Sequence, residues 1–248
     1  MKIKADLHIH STLSPCASLE MSPAAIVKRA RDLGLDLIAV TDHNSTENGF
    51  IAASLGEAAG LRVLFGMEAQ TREDVHMLCL FARRSEAERF NERVYSLLPD
   101  VRNNPDFFGD QLVVDEQDNI VRHEEKLLLN ALDISIPDLL ELVKSHGGVS
   151  IPAHVEAPPF GLLVNLGMVP DELAGAVLEV SCAVKAERAR QAFPVLANHP
   201  LISNSDSHFL EDIGRAFTTF AALSPSLPDL LEAARTGAFQ VVYRGCHG

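Results

Sequence analysis

The sequence predicts an α/β protein built on a barrel of parallel strands, and three observations predict it. A helix-then-strand unit with the same punctuation recurs along the chain. About eight such units in 248 residues suit a closed (β/α) barrel. Six strand ends carry His, Asp or Glu, and barrels of this kind gather chemistry at the carboxyl ends of their strands. Periodicity does not show closure, so a doubly wound open sheet is the alternative reading.

The chain opens with a strand over residues 3–7. Met21-Ser22-Pro23-Ala24 then starts an amphipathic run to Leu33, and Gly34 precedes the strand over 35–40. A helix over 48–59 leads to strands over 61–67 and 75–81, then to a helix over 86–98. After an irregular segment, a helix is expected over 127–132. Ser135-Ile136-Pro137-Asp138 opens another to His146, and Gly147-Gly148 precedes the strand over 149–151. Strands over 176–180, 201–204 and 217–221 follow, with a helix over 185–192 between the first two. Ser226-Leu227-Pro228-Asp229 opens the last helix to Thr236, and Gly237 precedes the strand over 239–243. In the units opened by Ser22, Ser135 and Ser226, serine caps the helix, proline occupies the first turn and glycine ends it. Asp138 and Asp229 can answer the cap as a capping-box variant.

Residues 99–126 break this rhythm. They are rich in Asp, Asn and Glu, and two apolar runs, 111–115 and 120–122, flank a polar turn. That pattern is an inserted hairpin. It is either a lid over the barrel mouth or a surface loop without a role in the chemistry.

Composition bounds the function. The chain is 47% apolar, enough for a substantial core. No apolar run reaches the length of a membrane-spanning helix, and a charge at Asp6 interrupts the N-terminus too early for a signal peptide. Cys16, Cys79, Cys182 and Cys246 show neither CxxC spacing nor the density of a disulfide scaffold, so a cytoplasmic location is expected. The net charge of -13 argues against long nucleic acid as a partner, and no basic, aromatic-rich strip for a single strand is present.

The first strand runs into Asp6-Leu7-His8-Ile9-His10. Side chains alternate faces on a strand, so His8 and His10 share one face about 7 Å apart along it, half of a metal site. Thr41-Asp42-His43-Asn44 follows the next strand, and Glu68 follows the third. His76 sits in Asp74-Val75-His76-Met77-Leu78, His154 follows Pro152-Ala153, and Asp206 and His208 end the run from Ile202. His and carboxylate ligands without paired cysteines suit zinc, manganese or iron. The other histidines have plainer explanations. His146 ends a helix, His123 lies in a charged run, His199 precedes a strand at the wrong end, and His247 is in the tail, where it can bind metal adventitiously. Cys79 belongs to the core. Cys182 either lines the pocket rim or packs, and Glu179, though on a strand, is left out of the ligand set.

These residues together resemble the polymerase-and-histidinol-phosphatase (PHP) family of metal-dependent phosphoesterases. Asp6-Leu7-His8-Ile9-His10-Ser11 is similar to its first motif and Thr41-Asp42-His43 to its second. Glu68 with His76, Pro152-Ala153-His154 and Ser205-Asp206-Ser207-His208 resemble the rest. The resemblance runs from residue 3 to about 215 and implies one PHP domain over 1–248, a distorted, TIM-like (β/α)7 barrel with up to three metals. Carried over by position, His8, His10, Glu68 and Asp206 hold one metal. Glu68, His76 and His154 hold a second, and His43 and His208 a third. Where the family commonly has a further His or Asp, this chain has Cys16. The thiol either ligates the third metal or is an inert loop residue.

The activity this implies is hydrolysis of a phosphate ester by metal-activated water, with Asp42, His43 and His208 as the catalytic candidates. Asp42 is expected to orient His43 or to join the third site, and Asp6 to orient a first-strand histidine. Asn44, Arg72 and Arg215 are candidates for holding substrate. Bound metals would draw an anion into the pocket while the outer surface stays acidic, so the expected partner is a small phosphomonoester or nucleotide. Two rivals remain. Amidohydrolases share the His-x-His start, but often carry a bridging lysine that this chain lacks. A metal-stabilised interaction module would carry no activity.

Overall fold

The structure, a computed structural model, describes residues 1–245; Cys246 and His247 lie outside the described residues. Its strands are β1 (Lys2–Ile9), β2 (Leu37–Val40), β3 (Arg62–Gln70), β4 (His76–Phe81), β5 (Leu112–Val114), β6 (Ile120–His123), β7 (Val149–Pro152), β8 (Leu178–Glu179), β9 (Leu201–Ile202), β10 (Ala216–Ala221) and β11 (Phe239–Tyr243). Its helices are α1 (Pro23–Asp32), α2 (Glu47–Ala59), α3 (Arg84–Leu97), α4 (Pro105–Phe108), α5 (Ile136–Ser145), α6 (Leu162–Leu166), α7 (Ala186–Ala192) and α8 (Leu227–Arg235). None of these helices is long and apolar enough to cross a membrane.

The three serine caps form as expected. Ser22, Ser135 and Ser226 accept from the backbone N–H of Ala25, Asp138 and Asp229. The aspartates answer hydroxyls instead of the cap's own N–H: Ser135 Oγ donates to Asp138, and Ser224 Oγ to Asp229, both at 2.6 Å. No helix forms over 127–132. There the backbone is bonded outward: Leu127 N donates to Val101 O, Leu128 N to Gln111 Oε1, and Leu132 N to Gln70 O, which leaves no helical ladder.

Seven strands make one curled, half-barrel sheet in the order β11-β10-β1-β2-β3-β4-β7. It is mixed, not the mostly parallel sheet expected. Only β1–β2 and β2–β3 pair in parallel; β3–β4, β4–β7, β1–β10 and β10–β11 are antiparallel. The short parallel pair β8–β9 lies between β7 and β1. It reaches them through a few backbone bonds, Val155 N to Glu179 O at 2.9 Å on one side, and His10 N to Ser207 O at 3.0 Å with Ser207 N to His8 O at 3.4 Å on the other. β2 and β3 run close together, so Gly66 has no room for a side chain: a Cβ there would lie 2.8 Å from Val40 O.

Residues 99–126 do contain a hairpin, β5–β6, with Leu112 opposite His123. Its position is fixed by Asn48 of α2, which donates to Leu112 O and accepts from Val114 N, and by Thr12 O, which accepts from Leu112 N. Ser22 and Ser54 hold Asp118 and Glu116 of the turn.

Candidate metal centre

Glu68, near the end of β3, is the hub of the site. Its Oε1 lies 3.2 Å from His8 Nε2, 2.9 Å from His76 Nδ1 and 3.1 Å from His154 Nε2. Its Oε2 lies 3.1 Å from His43 Nδ1 and 3.4 Å from His10 Nε2. Asp206 Oδ1 approaches His8 and His10 Nε2, each at 3.4 Å, and His208 Nδ1 at 3.7 Å. The strands explain the convergence. His8 lies on β1 and His10 just past its end, with Nε2 atoms 3.2 Å apart. His43, His154, Asp206 and His208 follow β2, β7 and β9. His76 is the first residue of its strand, and because β4 runs antiparallel it sits opposite Gln70, at the end of β3.

The donor chemistry fits divalent metal. Five imidazoles surround one buried carboxylate, which has about four lone-pair positions and cannot satisfy them all. His76 is the clearest case: it is buried, and neither ring nitrogen makes a hydrogen bond, because the approach of Nδ1 to Glu68 is out of line for one. Three sets bring their donor atoms within 4.8 Å of one another: His8, His10 and Glu68; His43, Glu68 and His76; and His10, His43 and His208. Buried side chains left in this state call for a cation.

The outer partners set the tautomers. Glu179 Oε1 accepts from His8 Nδ1 at 3.1 Å, which leaves the His8 Nε2 lone pair facing Glu68. Glu179 is itself held by Asn204 Nδ2 at 2.8 Å and by His154 N. Ser14 Oγ does the same for His10, accepting from Nδ1 at 3.0 Å and donating to Asp42 at 2.7 Å. The sequence reading passed over Glu179, Ser14 and Asn204. For Glu179 the available signal was its place on a strand beside Cys182; Ser14 and Asn204 carried none.

The side chains' electrostatics follow from this arrangement. Burial would raise Glu68, but His76, His8 and His43 hold its carboxyl well below the usual range. Burial would lower His8, yet Glu179, Asp206 and Glu68 hold it well above the ordinary imidazole value. His10 is pushed down to about 4, first by burial and then by His208. His154 and Asp206 adopt left-handed backbone conformations, φ +30° and +48°. Such conformations cost a non-glycine residue about 1–3 kcal/mol and gather at functional sites.

A cavity of about 380 Å³ opens onto these side chains. His43, Glu68, His76, His154, Asp206 and His208 are in its lining, together with Leu129 and Ala157 through Phe160. No residue of 99–126 is among its lining, since the hairpin is bonded to α2. Cys16 lines the exposed rim, its thiol pushed up to about 12 by burial and by Glu68, and it belongs to none of the three donor sets.

Several expected roles are corrected. Asp42 is buried behind the site and accepts from Ser11 N, Ser11 Oγ and Ser14 Oγ, so it acts through Ser14 and not as a group in the cavity. Ser14 Oγ also accepts from His43 N. Asp6 orients no histidine; it accepts from Ser205 N and Gly214 N, and burial pushes its carboxyl up to about 6. Asn44 is buried, with its amide committed to Leu128 O, Asn130 O and Gln70 N. Arg72 is exposed and paired with Asp133. Arg215 braces the loop below Asp206 through Ser205 O and Asp206 O. None of these three lines the cavity. The remaining histidines keep their plain roles: His146 Nδ1 meets Leu142 O, and His199 Nδ1 meets Ala176 O.

A mixed α/β sheet that collects histidines around one glutamate defines a protein with a candidate metal centre. The PHP domain family model matches residues 6–146, and the PHP-associated model matches residues 188–239. The chain belongs to the PHP domain family. Among curated proteins it is 36% identical over 73 residues to the DNA polymerase III PolC-type of Oceanobacillus iheyensis, covering 29% of this chain and 5% of the polymerase. Among solved structures it resembles the lesion-specific endonuclease PfuEndoQ from Pyrococcus furiosus, with a TM-score of 0.73 and 20% identity over 97% of this chain and 58% of that one. Endonuclease Q in complex with a 27-mer duplex substrate, an abasic lesion at its active site, gives 0.69 and 19% over 95% and 57%. A two-domain protein from Bacteroides vulgatus containing a predicted PHP-like metal-dependent phosphoesterase gives 0.59 and 19% over 98% and 65%. At these identities the structural likenesses establish the fold. The chain thus spans a small part of the polymerase and under two thirds of the endonuclease.

These neighbours overturn the expectation that acidity argues against long nucleic acid. A protein of this fold acts on duplex DNA, and a PolC-type polymerase is 36% identical to this chain over 73 residues. Net charge averages over a whole surface, whereas a phosphate group meets only the local field at the cavity.

Proposed function

We propose that this chain is a metal-dependent phosphoesterase. The observation that carries the reading is Glu68 enclosed by His8, His10, His43, His76 and His154, with Asp206 beside them at the end of an open cavity. His8, His10, Glu68 and Asp206 would hold one divalent metal, and Glu68, His76 and His154 a second. His43 and His208 would hold a third, and Cys16 at the rim either joins it as a ligand or is cavity wall. Zinc, manganese and iron suit this donor set. Such ions, when bound, activate water and neutralise charge on a phosphoryl group.

The chain's own groups prepare the site for that chemistry. Glu179 and Ser14 keep the Nδ1 protons of His8 and His10 engaged, so their Nε2 lone pairs stay available. Asp42 holds Ser14 in place. His208 Nδ1 donates to Asp206 O, leaving Nε2 as the atom that can bind a cation or pass a proton. Among the described residues no lysine lines the cavity, so Glu68 would serve as the bridging group, which favours phosphate esters over amides. Small phosphomonoesters and nucleotides fit the cavity volume, and the nucleic-acid enzymes among the relatives add strand phosphodiesters to the substrates to be tested.

The experiment is a hydrolysis screen of the manganese- or zinc-loaded protein: p-nitrophenolate release from p-nitrophenyl phosphate and its bis-ester, inorganic phosphate release from nucleotides, and strand cleavage of single- and double-stranded DNA. Activity should vanish with chelator and fall by at least about a hundredfold in His10→Ala and Asp206→Ala. Wild-type turnover in both variants, or release of ammonia instead of phosphate from a mixed panel, would overturn the reading. In Cys16→Ser, loss of one equivalent of zinc would identify the thiol as a ligand. Unchanged zinc content would leave it as cavity wall.

A further inference from the structure

One stretch of the cavity wall, next to the donor His76, is apolar and prebuilt. Pro158, Pro159 and Phe160 line it, with Leu129 and Ala157 beside them. Phe160 stacks on His76, ring centroids 4.2 Å apart and planes 16° from parallel. The backbone of this wall is tied to the strand that carries His76: His76 N donates to Phe160 O at 3.1 Å, and Asn165 Nδ2 bonds both Pro159 O and Asp74 O. Beside the donors, then, is a fixed hydrophobic surface with a half-buried aromatic ring. Among the described residues no lysine or arginine lines the cavity.

Those two facts select the ligand. The metal-loaded donors would take one phosphoryl group, whereas the further phosphates of a di- or triphosphate would need cationic side chains to pair with them, and the lining supplies none. A flat uncharged ring meets what is present: proline edges, an aliphatic side chain and an aromatic ring whose partner is already fixed. We propose that Pro158-Pro159-Phe160 form a subsite for a planar, uncharged ester group, an aryl group or a nucleobase, on a substrate with a single phosphoryl group. The proposal rests on the phosphoester reading, because the phosphoryl group is what the metal-loaded donors would take. The wall then makes Phe160 a determinant of which ester is accepted, through its contact with the part of the substrate that does not react.

The test is binding, so that it does not depend on turnover. The full chain loaded with manganese is titrated calorimetrically with phenylphosphonate and with methylphosphonate. Phenylphosphonate is expected to bind about tenfold or more tightly, the worth of one stacked ring. Phe160→Ala and, as the milder change, Phe160→Leu should each reduce that preference, the first to under about threefold. Manganese content of both variants is measured alongside, to separate loss of stacking from disturbance of His76. Equal affinity for the two phosphonates, or a preference that persists in a metal-replete Phe160→Ala protein, overturns the subsite. If the ring preference is found but no ester is hydrolysed, the subsite stands and the phosphoesterase assignment falls.

Discussion

Glu179 Oε1 sits 3.1 Å from His8 Nδ1, a buried carboxylate behind a buried imidazole, and Asn204 fixes its other oxygen at 2.8 Å. This contact turns His8 so that Nε2 faces Glu68.

Removing that charge should weaken cation binding without removing a ligand. Glu179→Gln is expected to lower metal affinity by about 10–100-fold, the usual effect of losing an outer carboxylate behind a ligating histidine. Competition with a chromogenic chelator measures it. Wild-type affinity would show that Glu179 only fills space.

Ser14→Ala should produce a smaller loss of the same kind. It removes the acceptor for His10 Nδ1 and leaves Asp42 without one of its hydroxyl partners. The expected cost is about 1–3 kcal/mol of stability, from the unsatisfied buried groups, together with a fall in metal affinity below that of Glu179→Gln. Thermal melts with and without metal separate the two effects.

Asn44 offers a contrast. Its amide joins Leu128 O, Asn130 O and Gln70 N, and its φ is +49°. Asn44→Ala leaves those groups unpaired and keeps a strained backbone, so a loss of about 2–4 kcal/mol is expected. For a chain of this size that is a fall of about 5–15 °C in melting temperature. A change in substrate affinity without that fall would restore it as a substrate-binding residue.

Acid should loosen residues 111–126 before the rest. Glu124 accepts from Arg122, Tyr95 and Lys126 N. Burial would raise its carboxyl, but Arg122, the Lys126 N–H and Tyr95 overcome this and hold it below the ordinary value of 4.5. A carboxyl depressed in the folded state stabilises above its unfolded value and stops doing so as pH falls through the folded one. Hydrogen exchange of β5–β6 should therefore accelerate below about pH 4.5, and Glu124→Gln should remove that dependence. Equal acceleration in both proteins would point to another group.

Much of this site was legible because strand ends are punctuated in sequence. His8, His10, His43, Glu68, His154 and Asp206 each close an apolar run, and the fold brings them together. His76 was legible only as a residue type. A strand pattern does not carry its direction, and in a parallel strand the first position would lie at the far end of the sheet. The apolar stretch 127–132 looked helical because composition does not reveal that its backbone is bonded to Val101, Gln111 and Gln70. Arg72 and Arg215 looked available for substrate because a cation's partner, here Asp133 or a loop carbonyl, is a fact of tertiary structure.

The left-handed backbone at Asp206 has a consequence for how this protein tolerates change. Glycine occupies that conformation without strain, and alanine does not. Asp206→Gly should therefore melt higher than Asp206→Ala, although neither can grip a cation. If Asp206 holds a cation as proposed, relief of backbone strain and cation capture would pull in opposite directions at this one position, so that the least strained residue would be one that cannot serve the proposed chemistry.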